Sequence, residues 1–288
     1  MSKTIMLIHG AWLTPASWDL FRARYEAQGY TVLAPPWPFE DRPIEDLRRS
    51  PHPNLGKLTI RKIVDHYEDL IRELHEPPIL IGHSIGGIVV QMLLDRGLGA
   101  VGVAIDPAPV RGVFSTPGAL RAALPVFLAW KGWSRTVTMS PQHFASSFAN
   151  DLPVADQRSA YERHVVPTPG RLYYQLATGV GTGVNFKNAN RAPLLLIAGE
   201  NDRTIEPSMV RANYKKYRGS PAVTELKSFP NRSHWLVAGP GWEEVADYAL
   251  QWAVAHDRAR DAASARTVAS TLPLADSRTS ATQEARLQ

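Results

Sequence analysis

The stretch Gly82-His83-Ser84-Ile85-Gly86-Gly87 indicates the fold of this chain. An apolar run at residues 78–81 predicts a buried strand before it, and a second run at residues 88–96 predicts a helix after it. The pattern Gly-x-Ser-x-Gly between a strand and a helix is typical of a sharp turn that presents a serine side chain. Such a turn closes only where bulky neighbours are absent, and its glycines meet that need. Ser84 is therefore a candidate nucleophile.

Apolar runs on either side of this motif alternate with helical patterns. Helical spacing is clearest over residues 60–74, where Thr59 is placed to cap the helix. Parallel strands need such crossovers, and uninterrupted apolar runs are typical of strands buried on both faces. The sequence therefore predicts an α/β fold with a mostly parallel central sheet flanked by helices. Its strands are expected at residues 4–8, 30–34, 78–81, 101–105, 194–198 and 222–229.

The spacing of these strands divides the chain into three parts. Residues 1–106 and 192–255 are expected to form the α/β core. Residues 107–191 are too long for an ordinary crossover and are rich in aromatic side chains, so we expect an inserted helical cap. Residues 256–288 are rich in Ala, Ser, Thr and Arg without an apolar period, which predicts a flexible tail.

The composition narrows the range of functions. The 288 residues are 44% hydrophobic and carry a formal charge of +5, and none is cysteine. Thiol nucleophiles and cysteine-ligated metals are thus excluded, and the histidines lack metal-site spacing, so no metal or cofactor is expected. Basic residues are interleaved with acidic ones, which argues against nucleic-acid binding. No apolar run is long enough to span a membrane and no signal peptide is evident, so we expect a soluble, cytoplasmic protein with no membrane partner. The sequence does not indicate an oligomeric state.

A serine nucleophile needs a base, and the base needs an orienting acid. His234 follows the last expected strand, and Asp202 follows the strand at residues 194–198. The carboxyl ends of parallel strands share one edge of a sheet, so both side chains are expected near Ser84. Asp106, directly after another strand, is a second candidate for the acid, although Asp202 is favoured.

Three other polar residues stand beside these groups in the sequence. His83 adjoins the candidate nucleophile and is expected to be structural. His9 is expected to organise the loop after the first strand, and Glu200 is expected to face solvent.

Taken together, these motifs resemble those of the α/β-hydrolase superfamily. The start of the chain most resembles small capped serine esterases related to plant methylesterases and hydroxynitrile lyases, and less closely cofactor-free perhydrolases. The segments that carry the resemblance each follow an expected strand in the expected order, and they are His9-Gly10-Ala11-Trp12, residues 82–87, residues 199–202 and Ser233-His234.

The resemblance implies a role for each matching residue. Ser84 would be the nucleophile, His234 the general base and then the acid, and Asp202 the orienting carboxylate. The oxyanion hole would consist of the backbone N–H groups of Ala11 and Ile85. A pair of such donors stabilises the negative charge that develops on a carbonyl oxygen.

Aromatic residues are candidates for the walls of a substrate pocket. As a group they indicate a mostly apolar, medium-sized cavity beneath the cap, and no acidic or basic clamp for a charged substrate is evident. The candidates are Trp12, Trp37, Phe39, Trp130, Trp133 and Trp235.

These observations favour a serine hydrolase that acts on a small-molecule ester or lactone with a largely hydrophobic part, through an acyl-enzyme. A serine at the turn argues against hydrolases that use a carboxylate nucleophile. Two alternatives stay open from the sequence alone. One is a non-hydrolytic enzyme with the same triad (hydroxynitrile lyase-like, perhydrolase or cofactor-free oxygenase), and the other is a slow-turnover ligand receptor.

Overall fold

A computed structural model describes residues 2–271 of the chain, with side chains described as far as residue 259. Within that range, six parallel strands form the central sheet in the order β2-β1-β3-β4-β7-β8, and β5 pairs with β6 in a small antiparallel sheet. The mostly parallel sheet expected from the sequence is confirmed. The strands are β1 (Thr4–Ile8), β2 (Thr31–Leu33), β3 (Ile79–His83), β4 (Val101–Ile105), β5 (Thr136–Val137), β6 (Thr168–Pro169), β7 (Leu194–Gly199) and β8 (Thr224–Phe229).

Burial along the strands follows their position in the sheet. Every residue of the central strands β3, β4 and β7 is buried, as expected for parallel strands covered by helices on both faces. The two edge strands, β2 and β8, are partly exposed. Because all six strands run in the same direction, the segments that follow them meet at one edge of the sheet.

Helices cover both faces of this sheet and also make up much of the segment between β4 and β7. Thr59 caps α3 by accepting a hydrogen bond from the N–H of Lys62, as its position in the sequence predicts. The helices are α1 (Asp19–Glu26), α2 (Ile44–Arg49), α3 (Ile60–Arg72), α4 (Ile85–Asp95), α5 (Pro117–Leu128), α6 (Pro141–His143), α7 (Val154–His164), α8 (Arg171–Thr178), α9 (Pro207–Lys216) and α10 (Trp242–Thr271).

The last helix differs from the sequence-based expectation. It continues past residue 255 to Thr271, so residues 256–271 are helical rather than a flexible tail. Their alanines favour helix without an apolar period, which explains why periodicity missed them. Asp257 is buried, and its carboxylate accepts a hydrogen bond of 2.7 Å from the backbone N–H of Ser2. The rest of the expected tail, residues 272–288, lies outside the described residues.

The segment of residues 107–191, called here the insert, lies between β4 and β7 and contains α5 to α8 with the β5–β6 pair. Its contacts with the core bear directly on the candidate site described below. No helix in the described part of the chain is both long enough and apolar enough to cross a bilayer.

Candidate active site

The turn between β3 and α4 holds Ser84 in a backbone conformation that L-residues rarely adopt, with φ +57° and ψ −116°. A Cβ atom on Gly82 would lie 2.2 Å from the carbonyl oxygen of Gly86, and one on Gly86 would lie 2.1 Å from that of Ile8. Neither position can therefore hold a side chain without a shift of the backbone. The N–H of Ser84 donates to the carbonyl oxygen of Ile105 at 2.9 Å, which fastens the turn to β4.

His234 and Asp202 form a buried pair at the same edge of the sheet. The Nδ1–H of His234 donates to Oδ2 of Asp202 over 2.6 Å, and both side chains are buried. The other carboxylate oxygen of Asp202 accepts from the backbone N–H groups of Thr204 and Ile205, at 2.7 and 2.8 Å. These bonds orient the carboxylate, and the carboxylate in turn orients the imidazole.

The second ring nitrogen of His234 remains available. Nε2 is buried and makes no hydrogen bond within the described residues. Burial lowers the pKa of His234 to about 3, so the ring is neutral near neutral pH. With the proton on Nδ1, Nε2 carries a lone pair that can accept a proton.

The alternative acid, Asp106, lies slightly farther from the imidazole. Its Oδ2 is 4.0 Å from Nδ1 of His234, beyond hydrogen-bond distance, and its Oδ1 accepts from the N–H of Gly199 at 2.8 Å. Of the two carboxylates, Asp202 therefore makes the contact that orients the imidazole of His234.

The two carboxylates also differ in charge. Burial raises the pKa of Asp202, and burial together with the negative charge of Asp202 raises the pKa of Asp106 well above its ordinary range. Two buried carboxyl groups this close do not both ionise readily. We assign the proton to Asp106, because two backbone N–H groups and an imidazole stabilise the negative charge of Asp202.

Two further histidines support the loops of the site. Nε2 of His83 donates to the backbone carbonyl of His234 at 2.9 Å, and the two rings pack with centroids 4.5 Å apart. His9 donates from Nδ1 to the carbonyl oxygen of Gly10 at 3.0 Å and stacks on Trp37. Burial lowers the pKa of His9 to about 4 and that of His83 well below its ordinary value, so both rings are neutral. Their contacts are those of structural residues.

The loop after β1 lies against the nucleophile turn. A Cβ on Gly10 would come within 2.8 Å of Cβ of Ser84, so Ala11, the next residue, lies close to the turn as well. Ile85 is the first residue of α4, where backbone N–H groups have no partner inside the helix. Within the described residues, neither of these two N–H groups donates to a backbone carbonyl or a side chain. Both are available to an oxyanion.

A narrow cleft, with an internal volume of about 50 Å³, leads to Ser84. Helices α5 and α8 contribute about half of its lining residues, α9 contributes Met209, and no described residue that lines it is charged. Trp12 and Tyr173 form one wall, with ring centroids 4.8 Å apart. The side chains of Ser115 and Thr204 add polar groups to the walls. The cleft suits a small, neutral and largely apolar molecule.

Of the six aromatic residues expected to line the pocket, the structure brings only Trp12 to the described cleft lining. Trp130 and Trp133 are 76% and 52% exposed on the surface of the insert. The other three pack against other rings away from the cleft. Trp37 stacks on His9, Phe39 stacks on His52 with ring centroids 4.6 Å apart, and Trp235 packs on Phe144.

These positions correct the expectation that all six residues line the pocket. The sequence could not show this, because aromatic side chains also occur in protein cores and on surfaces. Tyr173 and Phe127, which do line the cleft, were not singled out. Both lie on helices of the insert, and helical periodicity alone does not give the face that turns toward Ser84.

The insert is fastened to two loops of the site. The carbonyl oxygen of Trp12 accepts from the N–H of Val166 at 2.9 Å, and its indole N–H donates to the carbonyl oxygen of Val137 at 3.0 Å. Asp151 accepts from the backbone N–H of Ser233 at 2.8 Å and also from its hydroxyl. The insert thereby holds both the loop of Ala11 and the loop of His234.

A metal ion was also considered for the buried acidic cluster. Ligand atoms of Asp106, Asp202 and His234 lie within 4.8 Å of one another. However, two ligands bound to one ion at about 2.1 Å each, even at right angles, are about 3.0 Å apart. The 2.6 Å contact between His234 and Asp202 is shorter and fits a direct hydrogen bond.

Comparison with known proteins agrees with this geometry. The sequence matches the model of the Alpha/beta hydrolase family over residues 5–248. No curated protein matches it.

Solved structures with a similar fold include three named ester-cleaving enzymes or hydrolases. A monoacylglycerol lipase from Paleococcus ferrophilus is 22% identical, with a TM-score of 0.63 over 88% of this chain and 94% of the lipase. A methylesterase from Arabidopsis is 15% identical, with a TM-score of 0.64 over 86% and 97%. A pyrethroid hydrolase from Sphingobium faniae JZ-2 is 19% identical, with a TM-score of 0.60 over 88% and 98%. At these identities the likeness shows the fold.

Proposed function

Since this chain belongs to the Alpha/beta hydrolase family, we propose that it is a serine hydrolase that cleaves a carboxylic ester or lactone of a small, largely hydrophobic substrate. The observation that carries the proposal is the 2.6 Å hydrogen bond between His234 and Asp202, which leaves Nε2 of the imidazole without a partner within the described residues. This pair lies at the sheet edge where the strained turn presents Ser84.

In the first half-reaction, Nε2 of His234 accepts the hydroxyl proton of Ser84 as the serine oxygen attacks the carbonyl carbon of the ester. The carbonyl oxygen becomes an oxyanion that accepts hydrogen bonds from the N–H groups of Ala11 and Ile85. Asp202 stabilises the imidazolium that forms. The imidazolium then returns the proton to the leaving alkoxide, and the acyl group stays on Ser84.

In the second half-reaction, a water molecule gives a proton to Nε2 of His234 and attacks the acyl-enzyme. The same oxyanion donors act again, and the proton returns to the oxygen of Ser84 as the carboxylic acid leaves. For a lactone, alcohol and acid remain joined in one product. The hydroxyl proton of Ser84 leaves with the alcohol and a proton from water replaces it, so the enzyme is regenerated and the cycle consumes only ester and water.

The cleft supports a neutral and largely apolar substrate. Its described lining contains no charged side chain, and most of its surface comes from Ala, Leu, Ile, Met and Phe. The names of the lipase, methylesterase and pyrethroid hydrolase that share the fold all point to ester cleavage, in line with the proposed reaction.

Labelling with a fluorophosphonate probe, together with hydrolysis of p-nitrophenyl butyrate, tests the proposal. The wild-type chain should take up the probe and turn over the ester within the ordinary enzyme range of about 1–1000 per second. Ser84→Ala should abolish both. Ser115→Ala, which alters a serine of the same cleft outside the turn, is the matched control and should keep both. Labelling or turnover that persists in Ser84→Ala would overturn the proposal.

A panel of acyl esters and lactones then defines the substrate. Probe labelling without release of product from any member would favour a non-hydrolytic enzyme with the same triad. Tight binding of a ligand with no labelling would favour a receptor.

A further inference from the structure

Large apolar side chains on the surface are concentrated in one short region. In the described part of the chain, ten large hydrophobic residues are exposed, and six of them lie within residues 114–133. We call this group the apolar patch. Its members are Phe114, Leu120, Leu124, Leu128, Trp130 and Trp133, and their exposed fractions range from 47% to 88%.

The patch follows one face of α5. Leu120, Leu124 and Leu128 recur every fourth residue, which places them one above another on the helix. On the other side of α5, Ala122 and Val126 are buried against the protein. A helix that is apolar on its outer face as well as its inner face is typical of a surface that meets another apolar phase.

The segment of sequence that contains the patch carries only basic side chains among its charged residues. Residues 107–150 contain four basic residues and no Asp or Glu. All four, Arg111, Arg121, Lys131 and Arg135, are exposed. Acidic side chains approach α5 only near its first turns in the described structure, at the opposite end from Trp130: Glu206 lies beside Gly118, and Glu200 and Asp202 line a surface cleft that Arg121 also lines.

The patch meets the cleft at one residue. Leu120 belongs to both, since its side chain is half exposed and also lines the cleft. Phe127, next to Leu128 in the sequence, lines the cleft from the same helix. A molecule held at the outer face of α5 would therefore lie at the entrance that leads to Ser84.

From these observations we propose that the outer face of α5 docks on the surface of an anionic phospholipid bilayer. Leucine and tryptophan side chains would enter the headgroup region while Arg121 and Lys131 meet the lipid phosphates. The substrate class follows if the docking is combined with the proposed function, on which this step rests. The substrate would be an apolar ester that partitions into lipid and enters the cleft directly from it. A second copy of this chain is a poorer occupant, because a twofold contact would bring the same cations against each other.

Flotation with lipid vesicles tests the docking step separately from catalysis. The full chain is mixed with vesicles of phosphatidylcholine alone, or with 30% phosphatidylglycerol, and the bound fraction is measured. We expect at least tenfold tighter binding to the anionic vesicles, weakened by added salt. Ser84→Ala should bind like wild type, so a failure of the proposed hydrolysis would leave this result unchanged.

Variants identify the surface. Leu124→Ser, Leu128→Ser and Trp130→Ser combined should lower vesicle binding at least tenfold, and Arg121→Gln with Lys131→Gln should remove the preference for anionic lipid. Val154→Ser with Val223→Ser, exposed apolar residues outside the patch, is the control and should bind like wild type. The triple variant should keep wild-type turnover of p-nitrophenyl butyrate in solution, since none of its three positions lines the cleft.

Three results would overturn the proposal. The first is a wild-type chain that does not bind anionic vesicles, and the second is a triple variant that binds them as well as wild type does. The third is a wild-type dimer in solution that the triple variant converts to a monomer while vesicle binding is absent, because the patch would then be an interface between copies.

Discussion

Nε2 of His83 donates a hydrogen bond of 2.9 Å to the backbone carbonyl oxygen of His234. The residue next to the candidate nucleophile thus holds the loop that carries the candidate base. Burial keeps the pKa of His83 well below its ordinary value, so the ring is neutral and keeps a single N–H, at Nε2, for this bond. This bond connects two loops that are 151 residues apart in sequence.

His83→Phe tests this connection. The ring would still pack near His234 and Phe148, but the buried carbonyl would lose its donor. We expect the free energy of unfolding to fall by about 1–3 kcal/mol. We also expect kcat to fall about tenfold with little change in KM, because the imidazole would be less well oriented. His83→Gln, which can still donate, should recover part of kcat. A His83→Phe enzyme with the wild-type kcat would contradict a positioning role.

The pair of carboxylates beside His234 gives a second test. Asp202→Asn removes the charge that orients the base, and kcat should fall by about 10³–10⁴-fold. Asp106→Asn should leave kcat within about tenfold of wild type, since Asp106 already holds a proton and an amide oxygen can still accept from the N–H of Gly199. Steady-state kinetics on both variants, with circular dichroism to verify folding, make the comparison. If Asp106→Asn were the crippling change, the assignment of the orienting acid would be wrong.

The buried His164 should make stability depend on pH. Burial, with nearby Arg163 and Arg48, lowers its pKa to about 4 from an ordinary value of 6.5. Below about pH 6.5 the unfolded chain takes up a proton at this residue and the folded chain does not, so stability falls as the pH falls toward 4.

Between pH 7 and pH 5 this residue should lower the free energy of unfolding by about 2 kcal/mol. In His164→Gln the fall over that interval should be smaller by about this amount, and urea unfolding at the two pH values measures it. His75→Gln alters an exposed histidine and serves as the control. An unchanged fall in His164→Gln would refute the assignment.

The nucleophile turn makes a steric prediction. In Gly86→Ala the new Cβ would meet the carbonyl oxygen of Ile8 at 2.1 Å, so the helix or the strand must move. We expect a loss of at least about 3 kcal/mol in the free energy of unfolding. Gly219→Ala is the matched control, because nothing lies within 4 Å of its Cβ position, and it should be neutral or stabilising by up to about 1 kcal/mol. Thermal unfolding of both variants decides the point, and equal melting temperatures would contradict it.

The parallel sheet and the order of its strands could be predicted because buried strands leave uninterrupted apolar runs in the sequence. The nucleophile turn could be predicted for a similar reason, since only glycine satisfies its close contacts. The choice between Asp202 and Asp106 was harder. It depends on a difference of 2.6 against 4.0 Å from Nδ1 of His234, which strand order alone does not supply.

The pocket walls could not be predicted, because they depend on how the insert lies on the core. Trp130 and Trp133 are on the outside of that segment, whereas Tyr173 faces the cleft. All three are aromatic residues of the insert, so the sequence gives the same indication for each. Only the tertiary arrangement shows which of them lines the cleft. The end of α10 was missed because alanine-rich helix shows no apolar period.

The hydrogen bonds from Val166 to Trp12, from Trp12 to Val137 and from Ser233 to Asp151 have a consequence for engineering. A graft that replaced residues 107–191 with the corresponding region of another enzyme would change more than substrate choice. Unless the donor region reproduced these anchors, the loops of Ala11 and His234 would both lose a support, and we expect that a chimera with a well-shaped binding cavity would still turn over slowly.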